Sequence, residues 1–154
     1  MLPPKHIALV HDWLVSMRGG ERVLEVLCEL FPRARLFTLV HRPGKVSPAI
    51  ERLDITTSFL QHLPAGPSHY QYYLPLFPAA IRSLELGPAD LVISSSSAAA
   101  KAVRIPTGAL HLCYCHTPMR YLWDQYDDYF GRATLPVRLA MRLMRDPLRQ
   151  WDAR

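Results

Sequence analysis

Three clusters of residues in this chain have the types and spacing that chemistry needs. The first lies in KHIALVHDWLVSMRGGERVLEVLCELF (5–31), where Gly19-Gly20 closes a loop that starts at His11 and opens onto a helical pattern. Adjacent glycines let a backbone come close to a ligand, and the unpaired amides of a helix start suit a phosphate. The stretch has no G-x-G-x-x-G, and Glu21 suits the positive helix end without any ligand, so it reads equally as an ordinary helix start. The second cluster is Ser94-Ser95-Ser96-Ser97. No G-x-S-x-G frames these hydroxyls and no base is identifiable for them, which favours a serine cap on a short helix over Ala98–Ala102. The third is His111, Cys113, Cys115 and His116, all zinc-ligand types. Strand alternation puts 111, 113 and 115 on one face and His116 on the other. Same-face neighbours then stand roughly 7 Å apart, awkward for one tetrahedral ion, so no metal site is expected.

The elements that must position these residues follow from hydrophobic patterning. Ile7–Val10 is a continuous apolar run, as in a strand buried on both faces, and Val23, Leu24, Leu27, Leu30 and Phe31 recur at helical spacing. After Pro32, Arg35–Val40 reads as a second strand; His41–Arg52, with Pro43, Gly44 and Pro48, reads as mostly loop; Asp54–Thr57 reads as a third strand. Leu60–Gly87 is broken by Pro64, Pro67, Pro75 and Pro78, which forbid one long helix and leave a loop followed by a helix ending near Leu86-Gly87. Its aromatics suit packing better than a groove. Asp90–Ile93 is a fourth strand and Ala109–Cys115 a fifth. Arg120–Gly131 mixes aromatics with acids, a composition that would hold a sugar or equally cap a core with an acidic rim. Thr134–Arg145 is helical; Asp146-Pro147 then marks a break, with Asp146 capping a further helix that the chain leaves, without a capping glycine, at Arg154.

Alternating strands and helices of this kind make a doubly wound α/β sheet. In the order 3-2-1-4-5, strands one and four meet at the switch point, where ligands bind outside the carboxyl ends. The loop His11–Gly20 and the serine run then open into one crevice, with His116-Thr117 one strand further along.

The totals agree with a single globular domain of 154 residues, 49% hydrophobic and 20% charged, which excludes a disordered chain. Three cysteines in no disulfide-like framework suit a reducing compartment. Met1-Leu2-Pro3-Pro4-Lys5 leads straight into the first strand, so neither a signal peptide nor a spanning segment is expected. A net charge of +5 favours anionic partners, phosphates or a membrane surface, without choosing between them.

Taken together and in order, HDWLVSMRGGERVLEVL, YYLPLFPAAI, DLVISSSSAAAKAV and YCHTPMRYLWD resemble the amino-terminal half of glycosyltransferase family 4, the retaining GT-B enzymes, and within it the bacterial mannosyltransferase-like proteins. The resemblance runs from Lys5 to Trp151. It implies two Rossmann-like domains facing across a cleft, of which this chain is the acceptor-side one, with the donor-binding domain missing and the chain inactive alone. By the same resemblance Gly19 and Gly20 approach the diphosphate of a nucleotide-sugar donor, Asp12 lies at the cleft floor, and His116, Arg120 and Tyr121 face the acceptor. That donor is a co-substrate; no other cofactor, metal or nucleic acid is implied. The acceptor would be a glycan or a lipid-linked sugar, the transferred group a hexose such as mannose, and a separate donor-domain chain a further partner. The implied location is cytoplasmic, with peripheral contact at the inner face of the membrane. Arg138, Arg142, Arg145 and Arg149 share a helical face that fits either anionic lipid or plain solvent. The family's serine motif normally ends in histidine, and Ser97 takes that place here. The competing class is a doubly wound binding or regulatory module. A phosphoacceptor receiver wants an acidic cluster where only Asp12 stands, and a flavodoxin-like module wants a hydroxyl-rich loop where only Ser16 stands.

Overall fold

Burial on both sides selects Ile7–His11 as the central strand, β1: past Ile7 every residue of it is buried. The computed structural model describes residues 5–120, 122–131 and 135–153. β1 pairs in parallel with β2 (Arg35–Thr38) on one side and β4 (Leu91–Ser96) on the other. β2 carries β3 (Asp54–Thr57) and β4 carries β5 (Leu110–Cys115). The result is a five-stranded, all-parallel sheet in the order β3-β2-β1-β4-β5, a Rossmann-like doubly wound α/β fold. Residues in register in a parallel sheet share a face, so Leu9, Leu36 and Ile93 form one apolar row. Leu24 and Cys28 of helix α1 (Gly19–Leu30) join them in the core. The alternate residues Ala8, Val10, Phe37 and Val92 are buried as well. Apolar runs on both faces are what parallel strands under two helical layers require.

Several boundaries differ from the sequence expectation. The loop after β2 holds one short helical turn, α2 (Pro48–Glu51). Residues 59–82 form four short pieces: a 3-10 turn Phe59–His62, α3 (Gly66–His69), a 3-10 stretch Tyr70–Leu76 and α4 (Phe77–Arg82). The prolines cut helix into single turns, and α4 stops at Arg82, short of the expected end at Leu86-Gly87. Gly87, at φ +62, turns the chain there. The aromatics of this segment do pack: Tyr70 lies 4.8 Å and Phe77 6.3 Å from the Trp13 ring. The helix expected over Ala98–Ala102 is a 3-10 turn, Ala100–Ala102, with no side-chain cap from its own N-cap residue.

The chain divides into two compact units, Met1–His116 and Thr117–Arg154. The first contains the whole sheet. In the second, α5 (Tyr126–Phe130) precedes α6 (Leu135–Asp152), with Met119, Leu122, Met141 and Leu148 buried. The break expected at Asp146-Pro147 is absent, and α6 runs through Pro147. Packing on both sides of the proline holds it: Met141 and Leu148 are buried, and Asp152 Oδ2 accepts from Trp123 Nε1 at 2.8 Å. The expected arginine stripe is shortened, because Arg149 is spent on its own unit. Its Nε donates to the Leu122 carbonyl at 2.8 Å and its guanidinium stacks 4.9 Å from the Trp123 ring. Met1–Pro4, Tyr121 and the expected helix start at Thr134 lie outside the described residues.

Candidate functional site

The carboxyl ends of β1 and β4 set the site. His11 and Ser95 are in register, and alternation sends both to the face of Leu9 and Ile93, the side covered by α1. There His11 Nδ1 lies 3.2 Å from Ser95 Oγ, and Ser95 Oγ lies 2.8 Å from His116 Nε2. On its other edge, His11 Nε2 lies 3.7 Å from Glu21 Oε1. Glu21 Oε2 in turn accepts the Arg18 amide at 3.0 Å, closing the first turn of α1. Four side chains from three elements and the residue after β5 thus form one polar chain, Glu21–His11–Ser95–His116.

Gly20 sits against that chain. A Cβ on it would stand 3.4 Å from His11 Cε1 and 3.5 Å from His116 Nε2, whereas one on Gly19 would meet nothing within 4 Å. The two glycines are therefore not equivalent. Gly20 lies in contact range of both imidazoles, where a single methyl would just fit, and Gly19 is an exposed start to the helix. The amides of this first turn have no acceptor within the helix, which leaves donors at the crevice.

Proton positions follow from the partners. With Glu21 ionised, His11 Nε2 carries its proton toward the carboxylate, Nδ1 accepts from Ser95, and Ser95 accepts from His116 Nε2–H. A second proton on His11 makes Nδ1 a donor to Ser95 Oγ, and the hydroxyl then donates to His116 Nε2 only in the tautomer that carries the His116 hydrogen on Nδ1. Glu21 is driven up by burial, yet the His11 hydrogen bond and charge, with the backbone amides, outweigh that and hold it below the ordinary carboxylate value. Burial, and then the His11 charge, hold His116 below the ordinary imidazole value against the opposing pull of Asp12 and Glu21. His116, the least enclosed member, is thus neutral near pH 7 and suited to bind a hydroxyl or take its proton. Ser95 is fully buried, so it is a link in the chain and not a nucleophile.

Asp12 goes the other way. It is 1% exposed, and its Oδ1 accepts from the amides of Ala99 and Ala100, both at 2.7 Å, and from Ser96 Oγ at 3.3 Å. Oδ2 accepts from the Ser97 amide at 2.6 Å and the Ser97 hydroxyl at 3.2 Å. Asp12 therefore lies beneath the crevice as the cap of the Ser96–Ala100 turn, the role the sequence reading gave to a serine. Ser97 turns its hydroxyl to Asp12. His111 bonds Ser94 Oγ at 2.8 Å, on the opposite face from the His116–Ser95 pair. Arg120 is exposed in the second unit, and Tyr121 lies outside the described residues.

The sequence reading brought the His11–Gly20 loop, Ser94–Ser97 and His116 to one crevice; in the structure Gly20, His11, Ser95 and His116 meet there, while Ser94 turns to His111 on the opposite face and Ser97 turns to Asp12 beneath the crevice. The sequence reading missed His11, Ser95 and Glu21 as a connected set. The available signal was parity: a histidine ending one strand and a serine ending its neighbour share a face once the register is known. Comparisons with protein families, with curated proteins and with solved structures returned no match.

Proposed function

We propose that this chain is the acceptor-side domain of a retaining glycosyltransferase of GT-B architecture, moving a hexose such as mannose from a nucleotide-sugar to a glycan or lipid-linked acceptor. One observation carries the reading. A glycine-lined helix start and a His–Ser–His chain, buried except at His116, open together at the switch point between β1 and β4, where doubly wound sheets take their ligands. In this reading the first-turn amides at Gly19 and Gly20 approach the donor diphosphate, where charge develops as it leaves. Neutral His116 meets an acceptor hydroxyl, and Glu21–His11–Ser95 accommodates the shift of its proton. Asp12 positions the β4 turn without touching substrate. The reading needs a donor-side domain opposite the crevice, in the same protein or on a separate chain, so the chain alone transfers no sugar. Enclosure of Asp12 weighs against the phosphoacceptor form of the regulatory alternative, since its oxygens face five donors and no solvent.

An NMR titration with a nucleoside diphosphate tests the assignment. Saturable shifts at Gly19, Gly20, His11 and His116 are expected. Shifts confined to other residues, or steady nucleotide-sugar turnover by this chain alone, would contradict it.

A further inference from the structure

β5 ends the sheet, and no strand among the described residues pairs with its outer edge. The amides of Leu110 and His116 donate toward β4, to the Asp90 carbonyl at 2.9 Å and the Ser96 carbonyl at 2.8 Å. Successive residues of a parallel strand bond to opposite sides, so His111 and Cys113 turn their N–H and C=O groups outward. The apolar side chains of this strand are open as well. Leu110, Leu112 and Tyr114 are 61%, 50% and 55% exposed, and alternation puts all three on one face of the sheet. Edge strands are ordinarily guarded by charge, proline or shortness. β3, at the other edge, has four residues and an exposed Asp54, whereas β5 has six residues with no proline and no Asp, Glu, Lys or Arg.

The two open sets share one centre. Leu110 and Tyr114 stand symmetrically about Leu112, and so do the outward backbone groups of His111 and Cys113. An antiparallel second copy with Leu112 facing Leu112 satisfies both sets at once. His111 of each copy then exchanges main-chain hydrogen bonds with Cys113 of the other, and Leu110 of each meets Tyr114 of the other beside the central leucine pair. A strand of a different protein would use the same backbone groups but gives no reason for the two centres to coincide. Pairing about a two-fold axis also consumes the same edge on both copies, so it stops at a dimer. We propose that two copies of this chain join antiparallel through β5 about Leu112, making one continuous sheet. The proposal is independent of the crevice and of any transferase activity.

The test is sedimentation velocity of the whole chain in a thiol-reducing buffer, where a concentration-dependent monomer–dimer equilibrium is expected. Leu112→Lys sets two ammonium groups against each other and should weaken the dimer at least about tenfold. Leu30→Lys, at an exposed leucine of α1, should leave it unchanged. Both side chains are exposed, so circular dichroism and urea midpoints should match wild type. Oxidised glutathione then reads the register. In Leu112→Cys it should take two electrons and two protons from the facing thiols and leave a disulfide between the copies, since facing residues at such positions have Cα atoms about 4.5 Å apart. Tyr114→Cys, which faces Leu110, should stay unlinked at the same dose, as should wild type. A chain that is monomeric at every concentration would leave this edge to a different protein's strand and overturn the proposal. So would a dimer indifferent to Leu112→Lys, equal weakening by Leu30→Lys, cross-linking of Tyr114→Cys as readily as Leu112→Cys, or growth into open-ended assemblies.

Discussion

Asp12 collects five hydrogen bonds from the turn that follows β4, three of them from backbone amides. Asparagine would keep the shape and lose the charge, and would turn an NH₂ group toward buried donors. Asp12→Asn should therefore cost about 3 kcal/mol, read as a lower urea midpoint at unchanged slope. A loss within a few tenths of a kcal/mol would mean that the turn holds itself. The residue type at position 12 was legible in the sequence, but its direction was not. Which way a side chain points depends on where the strand stops, and one residue of difference between His11 and Asp12 selects opposite faces. Ser97 shows the same limit. A serine before a short helix reads as its cap, yet Asp12, just past β1 and 85 residues away in sequence, outcompetes it.

At the scale of elements, α6 carries the clearest conflict between local preference and packing. Pro147 removes the amide that the Leu143 carbonyl would otherwise bind and crowds the preceding turn. The helix persists because residues on both sides of the proline are anchored in its own unit. Pro147→Ala should raise stability by about 1–3 kcal/mol, seen as a higher melting temperature. A lower one would mean that the proline kink is part of the packing. The strands were legible because short continuous apolar runs such as Ile7–Val10 and Leu91–Ile93 suit strands buried on both faces, and their alternation with helical patterns suits a doubly wound order. Residues 59–82 were not, because single turns and 3-10 pieces have no hydrophobic period to read. The segment keeps its core residues, Leu60, Leu74, Phe77 and Ile81, without a regular helix to announce them.

Two enclosed histidines and Glu21 make the stability of the first unit depend on acid in two steps. Burial holds His111 and His116 below the ordinary value of 6.5 in the folded state. As pH falls through 6.5 the unfolded chain takes up protons first, so stability drops there. Glu21, held below 4.5 in the fold, contributes stability that is present above that pH and lost below it. Urea midpoints should be level between 6.5 and 9, fall below 6.5, and fall again below 4.5. Replacing His111 and His116 together by glutamine should flatten the first step and leave the second. A first step that survives the double change would place the acid sensitivity elsewhere.

The central claim is that the crevice beside Gly20 receives the phosphate end of a nucleotide-sugar, and calorimetry with a nucleoside diphosphate tests it most directly. Wild-type chain should bind saturably, and Gly19→Ala should bind equally well, because a Cβ there meets nothing within 4 Å. Gly20→Val should bind at least about tenfold more weakly, its branched side chain pressing on His11 and His116 and screening the first-turn amides. Gly20→Ala, whose Cβ makes only ordinary contacts at 3.4 and 3.5 Å, should keep the wild-type urea midpoint and so separate a blocked site from a damaged fold. Absence of binding by the wild-type chain, or equal binding by a folded Gly20→Val, would contradict the account.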